Sequence, residues 1–320
     1  MTLENETPRD VNGPIRVAMR CDDGVSIKGD LWTPAKGPLT GRVIVNCATG
    51  VLSRYYHRYA RFLASHGFVV LTYDYRGVGL SRPELLRGSG YRWRDWGQKD
   101  FDAALAMMLR THHSLPLAVV GHSVGGFLPG LARNASRIDR MLTVGAQYAW
   151  PGDYAYSRRW SLFWKWHVVM PALASICGYF PGRRLGWLED LPRGVALEWA
   201  FRRRSFERNH PKEERASVLM GMESVGAPIL AIVMSDDELG TAAAVHRTLS
   251  YYRGAERTMV VLRPSDFGRE AIGHFALFND RYAGTFWMRT LDWLRHGRNP
   301  WPEHVIPAIE KGGRNSKVTS

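Results

Sequence analysis

The segment Gly121-His122-Ser123-Val124-Gly125 places one serine between two glycines, after one apolar run and before another. Glycine is unfavourable inside a strand or a helix, so the pair indicates a sharp turn between two elements. A G-x-S-x-G turn from strand to helix projects the serine hydroxyl above the sheet edge and sets a helix N-terminus beneath it, where the macrodipole favours negative charge. Ser123 is therefore a candidate nucleophile, and His122 is expected to shape the turn rather than react. The alternative is a glycine-rich turn with an incidental serine.

A serine hydroxyl is a poor nucleophile without a base, and the base needs an acid that orients it. In a turn of this kind the three residues follow the order serine, acid, histidine. Asp236 and Asp237 come directly after the apolar run AIVMS, at the carboxyl end of a predicted buried strand. We predict Asp237 as the acid, because a short loop separates it from Thr241, the predicted cap of the next helix. Asp236 stays the alternative, and either residue could serve only in capping or in the turn.

Four histidines follow these acids in the chain. His246 lies inside a predicted helix, His296 lies at the end of another, and His304 lies close to the end of the chain. His274 follows Gly273 in a predicted loop beyond the last strand, which suits a general base. We therefore predict His274 as the base; the alternative is a loop histidine that is hydrogen-bonded to backbone.

Acyl transfer also needs two backbone N–H donors that bind the developing oxyanion. One is expected from Val124, the residue after the candidate nucleophile. The other is expected from the loop NCATGVLSRYY, where Gly50 lets the backbone turn closely and Val51 is the predicted donor.

Alternating strands and helices would position these residues. A hairpin is predicted over 15–33, and buried strands are predicted over 42–47, 68–75, 116–121, 141–149, 228–235 and 257–262. Helices are predicted over 54–67, over 100–112, directly after the serine turn, near 241–253 and near 280–296. Apolar strands that alternate with helices in this way indicate an α/β fold with a mostly parallel sheet and helices on both faces.

The alternation stops between 151 and 227, where the chain carries five tryptophans and many arginines. We predict a core of 1–150 and 228–299, a largely helical insertion over 151–227, and a loose polar tail over 300–320. The tryptophans suggest a site for an apolar acyl or aromatic group, although such residues also form the small core of an insertion.

The chain has 320 residues and a formal net charge of +13. A basic surface could attract nucleic acid, anionic lipid or an acidic substrate, but we find none of the known nucleic-acid-binding motifs in the sequence. We therefore expect a solvated basic face, no nucleic-acid partner and at most weak contact with anionic membranes.

The three cysteines, Cys21, Cys47 and Cys177, are scattered along the chain. Their number and spacing predict neither a disulfide framework nor a metal site. We find no signal-peptide pattern and no apolar run long enough to cross a bilayer. We therefore expect a cytoplasmic protein that uses no metal and no cofactor.

Five segments, ATGV, YDYRGVGLS, GHSVGG, SDDELGT and IGHF, occur in this order and together resemble the α/β-hydrolase superfamily. The segment GYFPGRRLGWLEDLPRGVALEWAFRRRS is similar to a bacterial group of predicted α/β hydrolases with a helical cap. The resemblance implies an α/β-hydrolase fold, a cap over the active site and hydrolysis by a Ser-His-Asp triad. Thr49 stands before Gly50 where many members carry histidine, which departs from the oxyanion loop of lipases.

We therefore predict a serine hydrolase that cleaves an ester or thioester of a small to medium apolar acyl group through an acyl-enzyme. Its triad would be Ser123, Asp237 and His274. A peptidase or an acyltransferase could use the same triad, and a non-catalytic binding protein could use the same fold. These alternatives stay open at this point, as does the oligomeric state.

Overall fold

The computed structural model describes residues 9–306. Its strands are β1 Ile15–Arg20, β2 Ser26–Trp32, β3 Gly41–Asn46, β4 Phe68–Tyr73, β5 Leu117–His122, β6 Arg140–Val144, β7 Tyr179–Phe180, β8 Leu191–Pro192, β9 Ile229–Met234 and β10 Arg257–Leu262. Its α-helices are α1 His57–Ser65, α2 Trp93–Asp95, α3 Asp102–Arg110, α4 Arg159–Phe163, α5 Met170–Cys177, α6 Gly182–Leu185, α7 Arg193–Ala200, α8 Arg215–Glu223, α9 Ala242–Leu249 and α10 Met288–His296. Shorter 3-10 and π-helical turns extend several of these helices.

Eight of the strands form one sheet in the order β1-β2-β4-β3-β5-β6-β9-β10. β1 pairs with β2 and β2 pairs with β4 in antiparallel fashion, whereas every later pair is parallel. Every residue of β3, β4, β5 and β9 is buried, because helices such as α1, α3, α9 and α10 pack against the sheet. The prediction of an α/β fold with a mostly parallel sheet is confirmed.

The parallel strands bring distant parts of the chain to one edge of the sheet. β3, β5, β6 and β9 are neighbours in register, so their carboxyl ends lie side by side. Ser123 directly follows β5, and Asp237 follows β9 by three residues. In open parallel sheets ligands bind at this edge, because the loops there converge from several strands.

The helix predicted directly after Ser123 does not form. Two short 3-10 turns, Ser123–Gly126 and Leu128–Leu131, take its place. The hydroxyl of Tyr252 donates to the carbonyl oxygens of Gly126 and Phe127, at 3.0 and 2.9 Å, and so supports this turn from a distant part of the chain. Pro129 also lacks the N–H that a helix interior requires. The favourable macrodipole of a long helix beneath Ser123 is therefore absent.

The segment between β6 and β9 is largely helical. It contains α4 to α8, and its strands β7 and β8 pair over only two residues each. Trp166 and Trp199 stack in this segment with ring centroids 4.8 Å apart. β6 ends at Val144, five residues earlier than predicted, and leaves the chain free to turn above the sheet edge.

The start of the predicted loose tail is packed. Trp301 is only 1% exposed and stacks on Phe286 with centroids 5.5 Å apart. Ile306 donates its N–H to the carbonyl oxygen of Met259 in β10 at 2.9 Å. The prediction was therefore wrong for 300–306, because an apolar ring and a strand edge anchor this part. The remainder of the predicted tail, from 307, lies outside the described residues. Among residues 9–306, no helix has the length and apolar character needed to cross a bilayer.

Candidate active site

Ser123 lies in a strained and closely packed turn. Its φ angle is +54°, a region that costs a residue with a side chain about 1–3 kcal/mol and that is concentrated at functional sites. A Cβ on Gly121 would lie 2.5 Å from the Cα of Gly126, and one on Gly125 would lie 2.4 Å from the carbonyl oxygen of Asn46. Both glycines of the motif are thus required by close backbone approach, which excludes an ordinary loose turn.

His274 and Asp237 are joined by a hydrogen bond. His274 Nδ1 lies 2.6 Å from Asp237 Oδ2, and Asp237 Oδ1 accepts the N–H groups of Leu239 and Gly240 at 2.8 and 2.7 Å. Burial opposes ionisation of this carboxyl, but His274 and the two N–H groups together lower the pKa of Asp237. Because an ionised carboxylate only accepts, Nδ1 carries the proton, and Nε2 of the neutral ring is then free to accept one.

Asp236, the alternative acid, hydrogen-bonds the backbone rather than the imidazole of His274. Its Oδ2 accepts the N–H groups of Ile272 and Gly273 at 2.7 and 2.9 Å. These two residues immediately precede His274, so Asp236 fixes the loop that presents the imidazole. Of the two neighbouring aspartates, only Asp237 hydrogen-bonds the ring.

His122 and Tyr56 connect the serine turn to the neighbouring loops. His122 is fully buried, and burial lowers its pKa to about 3, so the ring is neutral near pH 7. Its Nε2 lies 2.8 Å from the carbonyl oxygen of His274 and must donate, because a carbonyl only accepts. Its Nδ1 therefore accepts from the hydroxyl of Tyr56, 2.7 Å away. The same hydroxyl accepts the N–H of Ala48 at 3.0 Å.

The loop after β3 does not favour Val51 as an oxyanion donor. Its N–H already donates to the carbonyl oxygen of Ala48 at 3.2 Å, and Val51 does not line the cavity beside Ser123. Thr49 does line that cavity, and no hydrogen bond within residues 9–306 uses its N–H. Val124, the other predicted donor, lines the same cavity. The second candidate donor is thus Thr49, two residues earlier than predicted.

A cavity of about 570 Å³ brings these groups together. Ser123, Val124, His274 and Thr49 form part of its wall. The largely helical segment contributes a second, mostly apolar part of the wall, with Leu162, Trp166, Trp187, Leu188 and Trp199. Within the described residues, no hydrogen bond joins the hydroxyl of Ser123 to His274, and such bonds commonly tighten only when substrate binds.

Sequence reasoning missed Tyr56, Thr49 and the cations of the cavity wall. Tyr56 and His122 are separated by 66 residues, and no local pattern joins them. Thr49 differs from its neighbours only in how the loop turns, which composition does not encode. Within 9–306, no group of three or more His, Cys, Asp or Glu side chains is arranged to hold a metal ion.

Comparison with known sequences finds similarity to hydrolases. The family model Hydrolase_4, described as serine aminopeptidase, S33, matches residues 40–175. A monoacylglycerol lipase of Mycolicibacterium smegmatis is 31% identical over 134 residues, which is 41% of this chain and 41% of the lipase. The match thus spans about two fifths of that relative's length. The range matched by the family model includes the loop after β3 and the serine turn but neither Asp237 nor His274.

Solved structures are similar over most of the chain. A soluble variant of the monoglyceride lipase of Saccharomyces cerevisiae, bound to a substrate analogue, has a TM-score of 0.59 at 14% identity, covering 96% of this chain and 98% of the lipase. An esterase of Pyrococcus furiosus has a TM-score of 0.53 at 15% identity, covering 89% and 93%. An α/β hydrolase of a Penicillium species has a TM-score of 0.55 at 15% identity, covering 88% and 98%. At such identities the likeness establishes the fold alone.

Proposed function

We propose that the chain is a member of the α/β-hydrolase superfamily that acts as a serine hydrolase of carboxylic esters or thioesters. Ser123 is the nucleophile, His274 is the general base and acid, and Asp237 orients and stabilises the imidazolium. The N–H groups of Val124 and Thr49 bind the oxyanion, and residues 151–227 form a cap over the cavity. Its cytoplasmic location and its lack of a nucleic-acid partner stay predictions from the sequence.

The reaction follows from the proton positions. Ser123 Oγ attacks the substrate carbonyl while its proton passes to His274 Nε2. The tetrahedral oxyanion accepts hydrogen bonds from the two N–H groups, and the imidazolium is held by the carboxylate of Asp237. His274 then gives the proton to the leaving alcohol or thiol, which leaves an acyl group on Ser123. Water, deprotonated by His274, attacks the acyl-enzyme, and the proton returns to Ser123 as the acid departs.

One observation carries this proposal: His274, which Asp237 holds through a 2.6 Å hydrogen bond, lines the same cavity as the strained Ser123. A structural pair of histidine and carboxylate would not need a serine in an unfavourable backbone region beside it. The cavity volume and its tryptophan wall support a small to medium apolar acyl group.

The charged groups of the wall support an ester rather than the free amino terminus of a peptide. An aminopeptidase needs an acid that holds the substrate ammonium. Glu238 on this wall lies 3.5 Å from Arg158, and Asp236 accepts two backbone N–H groups of the His274 loop at Oδ2, while its buried Oδ1 has no partner. These two acids are outnumbered by the three cations of the wall, Arg158, Lys165 and Arg202. Lys165 and Arg202 add positive charge that would repel an ammonium group.

Steady-state hydrolysis of 4-nitrophenyl butyrate tests the proposal. The wild-type protein should release 4-nitrophenol with saturation kinetics, and Ser123→Ala should abolish turnover. Ser161→Ala is a matched control, because Ser161 lines the same cavity in α4 and its hydroxyl donates to the backbone of Arg158. Equal turnover by wild type and Ser123→Ala would refute the assignment of the nucleophile.

A further inference from the structure

Arg202 is a buried cation without a counter-ion. Its exposure is 7%, and it lines the cavity that contains Ser123 and His274. Within residues 9–306 its side chain makes no hydrogen bond and no ion pair, and its Nε is buried without a partner. The guanidinium carbon lies 3.7 Å from the centre of the Trp93 ring, a cation–π contact that brings no negative charge to the cation.

The protein groups around Arg202 do not neutralise it. The charge of Glu198 acts on Arg202, but Glu198 Oε1 already accepts from Arg94 Nε at 3.0 Å. Burial raises the pKa of Tyr148 and of Tyr154, so both phenols stay neutral near pH 7. Burial lowers the pKa of Arg202 to about 10, which still leaves it charged near pH 7.

Lys165 adds a second cation to the same wall. Its ammonium lies 4.5 Å from the ring centre of Trp166 and 4.4 Å from that of Trp187. Among the described residues, no acid lies within ion-pair distance of it. Of the two acids of this wall, Glu238 faces Arg158, and Asp236 accepts two backbone N–H groups at Oδ2 while its buried Oδ1 has no partner. The three cations Arg158, Lys165 and Arg202 outnumber these two acids, so the cavity wall carries a net positive charge.

We propose that the substrate of this site is an ester that carries a carboxylate, which Arg202 binds with support from Lys165. This inference rests on the proposed ester hydrolysis and names the substrate class within it. A buried charge is costly unless a partner compensates it, and a bound carboxylate supplies that partner. A guanidinium presents parallel N–H donors that match the two oxygens of a carboxylate. The tryptophans of the cavity wall would pack on the apolar chain that links the carboxylate to the ester.

A second cavity of about 340 Å³ also borders Arg202, together with Arg94, Arg208 and His210. An anion bound there would compensate the charge of Arg202 without affecting which ester the active site hydrolyses. The test therefore measures selectivity in hydrolysis rather than anion binding alone.

The experiment compares esters that differ only in a terminal carboxylate. On the acyl side, 4-nitrophenyl monoesters of dicarboxylic acids from glutaric to suberic acid are compared with 4-nitrophenyl esters of the monocarboxylic acids of equal length. On the alcohol side, acetates of ω-hydroxycarboxylic acids are compared with acetates of the matching alcohols. The ratio of kcat/KM between charged and neutral ester is measured within each variant, so a general loss of activity cancels.

In at least one series the wild-type protein should prefer the charged ester by about tenfold or more, the effect of one hydrogen bond to a charged group. Arg202→Met should remove this preference, Arg202→Lys should keep part of it, and Lys165→Met should reduce it. Arg184→Met is the control, because this substitution also removes one positive charge. Arg184 is exposed and lines neither of these cavities, so the wild-type ratio should persist.

A ratio of one or less in both series, with neutral esters hydrolysed, overturns this inference and leaves the proposed function intact. A preference that survives Arg202→Met also overturns it. A wild-type protein that hydrolyses neither class of ester overturns the proposed function and this inference with it. If Arg202→Met does not fold, inhibition of wild-type butyrate hydrolysis decides: a dicarboxylate should inhibit at least about tenfold more strongly than the monocarboxylate of equal length, and equal inhibition contradicts the inference.

Discussion

His122 donates a hydrogen bond from Nε2 to the main-chain carbonyl of His274, 2.8 Å away. The residue that precedes the candidate nucleophile thus holds the loop of the candidate base, although 152 positions separate the two residues. Tyr56 extends this connection, because its hydroxyl donates to His122 and accepts from Ala48 beside Thr49. One buried hydroxyl and one buried imidazole therefore link the three loops that would have to keep their relative positions during catalysis.

Removal of the Tyr56 hydroxyl should weaken both fold and activity. Tyr56→Phe leaves His122 Nδ1 without a donor and the N–H of Ala48 without an acceptor, and both are buried. We expect a loss of about 1–3 kcal/mol in the free energy of unfolding, measured in urea, with a lower kcat for 4-nitrophenyl butyrate. Tyr156→Phe, at a side chain that is 87% exposed, should change neither quantity. Equal behaviour of the two variants would contradict the linking role.

The neutral state of His122 predicts a pH dependence of stability. The pKa of His122 is about 3 in the folded protein, below its ordinary value of 6.5, so the unfolded chain binds more protons between these values. Stability should therefore rise from about pH 3 to pH 6.5, by at most about 1.4 kcal/mol per pH unit for this one group. Lowered pKa values of other buried histidines, such as His210 at about 4, act in the same direction.

Denaturation between pH 4 and pH 7 measures this effect. His122→Gln should show a shallower fall in the free energy of unfolding as the pH decreases, because one histidine that must stay neutral is gone. His113→Gln is the control, since His113 is exposed. Parallel curves for wild type and His122→Gln would show that His122 does not stay neutral in the folded protein.

The two neighbouring aspartates should differ sharply in their effect on turnover. Asp237→Asn removes the charge that faces the imidazole and allows the wrong tautomer, so kcat should fall by about 10³–10⁴-fold. Asp236→Asn keeps a carbonyl oxygen that can accept from Ile272 and Gly273, so the loss should stay below about tenfold. The pair is its own control, since both variants remove one negative charge at adjacent positions. A larger loss for Asp236→Asn would reverse the assignment.

A buried ion pair outside the candidate triad should contribute strongly to stability. Arg76 Nε lies 2.6 Å from Asp100 Oδ1, and both side chains are almost fully buried. Asp100→Asn leaves the guanidinium without its buried partner and should cost about 3 kcal/mol or more in urea denaturation. Asp280→Asn breaks an exposed pair with Arg58, 2.7 Å apart, and should cost less than about 1 kcal/mol. Similar losses for the two variants would contradict this difference in burial.

The sequence predicts those parts of the molecule that local patterns encode. Apolar runs located the strands of the sheet to within a few residues at most ends, and the order of Ser123, Asp237 and His274 along the chain follows from the turn at Gly121 to Gly125. Short 3-10 turns replace the helix predicted after Ser123, and the hydroxyl of the distant Tyr252 bonds their carbonyl oxygens at Gly126 and Phe127. The packed Trp301 likewise depends on Phe286, a partner that no local pattern indicates.

The fine geometry of the site also depends on contacts between distant segments. From the sequence alone, the backbone N–H of Val51 and that of Thr49 are equally possible oxyanion donors. They differ only in the folded loop, where the N–H of Val51 already bonds a backbone carbonyl. The sequence predicts that each arginine of the run RRRS is exposed to solvent. Arg202 is instead buried over Trp93, while Arg203 and Arg204 are exposed. Whether a charge is paired is a property of the folded chain.

The most direct measurement is covalent labelling of the nucleophile. A fluorophosphonate forms a stable adduct only with a serine that a neighbouring base activates. Intact-protein mass spectrometry should show one adduct per chain, peptide mapping should locate it at Ser123, and His274→Ala should lose it although Ser123 is still present. An unlabelled wild-type protein, or an adduct at another serine, would contradict the account.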